Sequence, residues 1–110
     1  MGISKTDLFT KEQNELANWA KAIAHPARIA IIQHLIRANE CICTNLVDEL
    51  GLAQSTISQH LKELKNAGLI KGNIDGTSIC YCINPEVWKV FKGEVDELFR
   101  SISCNNSCCK

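Results

Sequence analysis

Residues 43–70, CTNLVDELGLAQSTISQHLKELKNAGLI, hold two short helical repeats, each running into a glycine. In the first, Leu46, Val47 and Leu50 lead to Gly51; in the second, Ile57, Leu61 and Leu64 lead to Gly68. Two helices joined by a tight, Gly-containing turn make a helix-turn-helix. The second helix of such a unit lies in the DNA major groove. The second repeat suits that placement. Its early turns carry Gln54, Ser55, Thr56, Ser58, Gln59 and His60, small or hydrogen-bonding side chains backed by the apolar stripe.

The flanking sequence supplies a frame for this unit. Residues 7–24 predict a helix with Leu8, Phe9, Leu16, Trp19, Ala20 and Ile23 at helical spacing, capped by Asp7 or Thr10. A second helix starts at His25-Pro26, where proline at the first helical position loses no hydrogen bond. Ile29, Ile32, Leu35 and Ile36 form its expected buried stripe, and it ends near Ala38-Asn39. After Gly68, residues 69–74 read as a strand. Asp75-Gly76 is a hairpin signal, and residues 77–83 read as the returning strand. Pro85 opens a last helix with Trp88, Phe91, Val95, Leu98, Phe99 and Ile102 on one face. The expected fold is mainly α with a two-stranded β wing: a winged helix-turn-helix with extra N- and C-terminal helices. Residues 1–103 form the DNA-binding and dimerisation domain, and residues 104–110 a polar, Cys-rich tail. The aromatic residues of the end helices, Trp19, Trp88, Phe91 and Phe99, exceed what so small a core needs. They point to pairing with a second copy, and a two-fold dimer reads an inverted repeat in double-stranded DNA.

Charge bears on the DNA reading. Twelve basic and twelve acidic residues cancel, whereas many DNA binders carry a basic excess. The distribution is less even: Lys62, Lys65 and Lys71 face Glu63 alone between Gln54 and Ile74. These lysines are the expected phosphate contacts, and Gly76 and Thr77 at the wing tip are expected near the minor groove. No apolar run approaches the roughly 18 residues of a membrane span, and residues 1–15 hold no apolar signal core. A cytoplasmic protein with no membrane partner is expected. Cytosolic thiols stay reduced, so the seven cysteines are not expected to form a disulfide framework and direct attention to metal binding or redox chemistry. No nucleophile, base and orienting group stand at useful spacing, so an enzyme is not expected.

With these elements placed, the chain resembles the ArsR/SmtB family of bacterial metal-sensing repressors. The resemblance rests on Ala24-His25-Pro26-Ala27-Arg28, Glu40-Cys41-Ile42-Cys43 and Leu50-Gly51. It continues through residues 54–61 (QSTISQHL), Gly68-Leu69-Ile70 and Tyr81-Cys82-Ile83-Asn84-Pro85. It implies a homodimer that represses a resistance operon and releases its operator when a metal or metalloid binds. Cys41 and Cys43 resemble the Cys-x-Cys of the arsenite and antimonite sensors, and also that of a cadmium- and lead-sensing branch. The familiar arsenite pattern has a third Cys where this chain has Leu46, and the cadmium/lead branch draws Cys from an N-terminal segment that here has none. The last helix lacks His, unlike the zinc-sensing branch. Cys104, Cys108 and Cys109 resemble loosely the C-terminal thiols of a further arsenite-sensing group.

Soft ions favour thiolates. Cys41, Cys43, Cys104, Cys108 and Cys109 are therefore the expected ligands, with As(III) or Sb(III) as inducer and Cd(II) or Pb(II) as alternatives. No permanent cofactor is expected. Thiol oxidation on the same fold is the other alternative. Cys80 and Cys82 share a strand face but read as small packing residues. His60 is expected to face DNA or to join a local polar network, His25 to sit at a helix start, and His34 at the surface or core edge.

Overall fold

Thr10 starts the first helix through a reciprocal cap: its Oγ1 accepts from the Gln13 N–H at 3.0 Å, and its own N–H donates to Gln13 Oε1 at 2.9 Å. The computed structural model describes residues 8–42, 51–73 and 80–102. Within them run α1 (Lys11–Ile23), α2 (Pro26–Ala38), α3 (Gln54–Asn66), β1 (Ile70–Asn73), β2 (Cys80–Ile83) and α4 (Pro85–Arg100). The expected supporting helix over Leu46, Val47 and Leu50, the wing tip at Asp75, Gly76 and Thr77, and the tail from residue 104 lie outside the described residues.

The first helix is shorter than the periodicity predicts. The cap places Leu8 and Phe9 before it, and both are exposed. Helix α2 begins as expected at Pro26, with His25 as its cap: Nδ1 accepts from the Ala27 N–H at 3.0 Å. Its buried stripe is Ile31, Ile32 and Leu35, while Ile29 and Ile36 are exposed. Four isoleucines and a leucine fill α2 almost all round, so spacing alone does not say which face turns inward.

Helix α3 ends in a Schellman turn. Gly68 holds φ +82°, its N–H donates to the Lys65 carbonyl at 2.9 Å, and the Leu69 N–H reaches the Leu64 carbonyl at 3.0 Å. These two bonds satisfy carbonyls the helix end would leave bare, and Leu64 and Leu69 are both fully buried. The chain then enters the antiparallel wing, where Ile70 pairs with Ile83 and Gly72 with Tyr81. Gly72 (φ +129°) passes so close to β2 that a Cβ there would lie 2.1 Å from the Cys80 carbonyl oxygen. A third segment joins β2 on its other side: Ile42 and Tyr81 exchange both backbone hydrogen bonds, at 2.8 and 3.0 Å.

The core lies between these layers: Trp19, Ile31, Leu35, Ile57, Leu61, Leu64, Leu69, Ile70, Tyr81 and Phe91. Helix α1 packs on α2, α3 and α4, and α2 on α3 and β2. Trp19, Trp88 and Phe91, expected partly at a dimer face, are used inside the chain. Trp19 and Phe91 are buried with ring centroids 5.5 Å apart, and Trp88 stacks on Phe91 at 5.3 Å. Their indoles carry N–H donors that find internal carbonyls, which explains why these large residues turn inward. Phe99 remains 63% exposed, and Leu98, Val90 and Ile102 are also exposed on α4 or just past its end.

Candidate nucleic-acid interface and thiol pair

Helix α3 buries Ile57, His60, Leu61 and Leu64, the i, i+3, i+4, i+7 positions of one face. The opposite face therefore presents Gln54, Ser55, Thr56, Gln59, Lys62 and Lys65 to solvent, with Ser58 half-buried at its edge. Ala53 at the N-cap makes no side-chain hydrogen bond to the first turn. The positive end of the helix dipole is thus left without a side-chain cap, an arrangement suited to phosphate. The Gln59 amide donates to Glu63 Oε1 at 3.2 Å, which holds both side chains along the helix. Lys71 is exposed on β1, the next element.

His60 follows the local-polar-network reading rather than the base-facing one. It is 8% exposed and turned inward, where Arg28 Nε donates to its Nδ1 at 3.0 Å. Arg28 also donates through Nη1 to the Ala22 carbonyl at 3.0 Å, and the His25 ring lies 4.5 Å from the His60 ring. An accepting Nδ1 requires the neutral imidazole. Burial lowers the His60 pKa below its ordinary 6.5, and the neighbouring His25 and Arg28 lower it further. His60 thus fastens α3 to the start of α2. Its i+3 spacing from Ile57 was the sequence signal for burial.

The cysteines are brought together in an order the sequence spacing did not suggest. Cys41 and Cys82 flank the Ile42–Tyr81 pair on opposite strands and are hydrogen-bonded to each other. Cys41 is exposed and Cys82 half-buried. The Cys82 thiol is pushed up in pKa, first by that hydrogen bond, then by burial and by Cys41 itself, with Lys71 opposing. Both line a 310 Å³ cleft with Leu35, Ile36, Asn39 and Pro85. Cys80, two residues along β2, is disulfide-bonded. Cys82 is thus a thiol-contact residue that the packing reading missed; two Cys-x-Cys segments that can pair as antiparallel strands were the available signal. Cys43, Cys104, Cys108 and Cys109 lie outside the described residues, as do Gly76 and Thr77. Among the described residues no three His, Cys, Asp or Glu side chains are placed to hold a metal ion. No described helix is long and apolar enough to cross a membrane.

A sequence profile described as "Bacterial regulatory protein, arsR family" matches residues 25–71, from the cap of α2 through the Schellman turn to Lys71. An uncharacterised helix-turn-helix transcriptional regulator of Methanocaldococcus jannaschii is 39% identical over 80 residues, which is 71% of this chain and 88% of that protein. The chain belongs to the ArsR family. Within it, the transcriptional repressor SmtB of Mycobacterium tuberculosis is 43% identical over 61 residues, 56% of this chain and 44% of that one. This ArsR-family chain spans about half the length of the Mycobacterium tuberculosis relatives it matches. The crystal structure of NolR from Sinorhizobium fredii superimposes with a TM-score of 0.59 at 27% identity, covering 93% of this chain and 99% of that one. The winged helix-turn-helix is therefore shared across nearly the whole chain.

Proposed function

We propose that this ArsR-family chain is a homodimeric transcriptional repressor of a resistance operon. It holds an inverted-repeat operator through α3 and leaves it when trivalent arsenic or antimony binds cysteine thiolates. The observation that carries the DNA half is the division of α3 into a wholly internal face and an exposed row of Gln54, Ser55, Thr56 and Gln59. Amide and hydroxyl groups at those positions read base edges, and Lys62, Lys65 and Lys71 hold phosphates and set the register. Wing-tip residues Gly76 and Thr77 reach the minor groove in this reading.

The inducer half rests on where Cys41 sits. It directly precedes Ile42, whose backbone is bonded to the wing strand. It also stands at the exit of α2, against which α3 packs. A soft ion drawn to Cys41 and Cys43, with Cys104, Cys108 and Cys109 as further thiolates, pulls on the segment leading into the helix-turn-helix. A tenfold loss of operator affinity needs about 1.4 kcal/mol of coupling, and repositioning one helix terminus supplies that much.

The test is a fluorescence-anisotropy titration on operator DNA with arsenite, antimonite, cadmium, lead and zinc. It is run on the parent and on Ser variants at 41/43, 80/82 and 104/108/109. Release of the parent by arsenite or antimonite, lost in the 41/43 variant, supports the reading. Release that survives in all three variants removes thiol sensing from the account.

A further inference from the structure

We propose that Cys41 and Cys82 form an oxidisable dithiol site that takes a small-molecule disulfide. Thiol–disulfide exchange closes the pair into a covalent strap between the segment after α2 and the wing. The site shares Cys41 with the inducer reading but needs no metal.

The geometry comes from the ladder. Ile42 and Tyr81 exchange both backbone hydrogen bonds, so residues 41 and 82 face each other as the adjacent non-hydrogen-bonded pair. Such pairs bring Cα atoms to about 4.5 Å with side chains on one face, inside the roughly 4.4–6.8 Å span of a disulfide. The two thiols are already hydrogen-bonded to each other. Tyr81, between Cys80 and Cys82, points to the opposite face and is 1% exposed. The cysteine face is thus the outer one. A second observation on the same strand agrees: Cys80, two residues away on that face, is disulfide-bonded.

The two residues have different roles. Cys41 is exposed at the mouth of the cleft and meets the oxidant; Cys82 is half-buried behind it. In the first step the Cys41 thiolate attacks one sulfur of the small disulfide, forming a mixed disulfide and expelling one thiolate. In the second, Cys82 gives its proton to that thiolate, attacks the Cys41 sulfur and expels the second thiolate, which takes up the proton Cys41 released. Two electrons pass to the small disulfide, which leaves as two thiols, and one S–S bond joins Cys41 to Cys82.

The experiment treats the reduced full chain with oxidised glutathione, quenches in acid, alkylates and maps disulfides by fragmentation mass spectrometry. The parent is expected to show a Cys41–Cys82 bond, the loss of both free thiols, and a melting temperature above that of the reduced chain. Cys82→Ser is expected to accumulate glutathione on Cys41 with no rise in melting. Free alkylation of both residues in the oxidised parent, or a bond from Cys41 to any other cysteine, overturns the proposal. Because the readout is covalent and uses no DNA or metal, it succeeds or fails separately from the inducer reading.

Discussion

Trp19 and Trp88, from the two end helices, donate to carbonyls on either side of the same glycine. Trp19 Nε1 reaches the Ala67 carbonyl at 3.1 Å, and Trp88 Nε1 reaches the Leu69 carbonyl at 2.8 Å, with Gly68 between them. The C-terminal end of α3 is therefore fixed by both end helices. Phe at either position keeps most of the packing and loses the donor. Each of Trp19→Phe and Trp88→Phe is expected to cost about 1 kcal/mol, the worth of one neutral hydrogen bond. Chemical denaturation followed by circular dichroism measures it, with a lower midpoint and unchanged slope.

His60 makes a pH prediction. Its folded pKa is depressed below 6.5 by burial, so below that pH the unfolded chain takes up a proton that the folded chain resists. The stability from neutral His60 is present above pH 6.5 and is lost as pH falls through the depressed folded value. Protonation also removes the acceptor that Arg28 Nε uses. His60→Gln keeps an acceptor without titrating. The expected outcome is a parent whose melting temperature falls between pH 7 and pH 5 more steeply than the variant's. Parallel curves contradict the assignment.

The fold was legible because its punctuation is strong. Thr10, Pro26, Gly68 and Pro85 mark helix ends by local chemistry, and each does so in the structure. The faces were less legible. An almost continuous apolar α2 hid Ile31, and the indole donors of Trp19 and Trp88 reach carbonyls within the chain that spacing alone does not reveal. The exposed polar row of α3 was readable because apolar and polar positions separate cleanly there, apart from His60. A histidine on the apolar stripe obeyed the stripe. The Cys41–Cys82 pair could not be read from spacing. It depends on the pairing of Ile42 with Tyr81, which are far apart in the chain, whereas spacing relates each cysteine only to its near neighbours.

Gly72 has no room for a side chain. A Cβ would meet the Cys80 carbonyl oxygen at 2.1 Å and Tyr81 Cα at 2.8 Å, both backbone atoms that cannot swing away, and φ is +129°. Gly72→Ala is expected to separate the wing strands and to cost about 1–3 kcal/mol. Amide hydrogen exchange at Lys71 and Cys82, which pair across the two wing strands, checks it; protection equal to the parent's contradicts it.

Dimerisation is expected to use the apolar surface left on α4. Phe99, Leu98 and Val90 are all about half exposed or more. A neighbouring groove is lined by Ile23, Trp88, Phe91 and Val95. Phe99→Glu places a charge there without touching the core. Sedimentation is expected to give a dimer for the parent and a weakened or monomeric species for the variant, with the helical content unchanged. A monomeric parent at tens of micromolar contradicts the two-fold reading.

The central claim is that the exposed row of α3 reads base edges. The direct measurement is selection from a random duplex library, followed by anisotropy on the selected site, for the parent, Gln59→Ala and Lys65→Ala. The parent is expected to select an inverted repeat. Gln59→Ala is expected to lose about 1–3 kcal/mol of discrimination at one position per half-site. Lys65→Ala is expected to weaken all sequences alike and reduce the salt dependence. No selected sequence, or a Gln59→Ala protein with the parent's full discrimination, would contradict it.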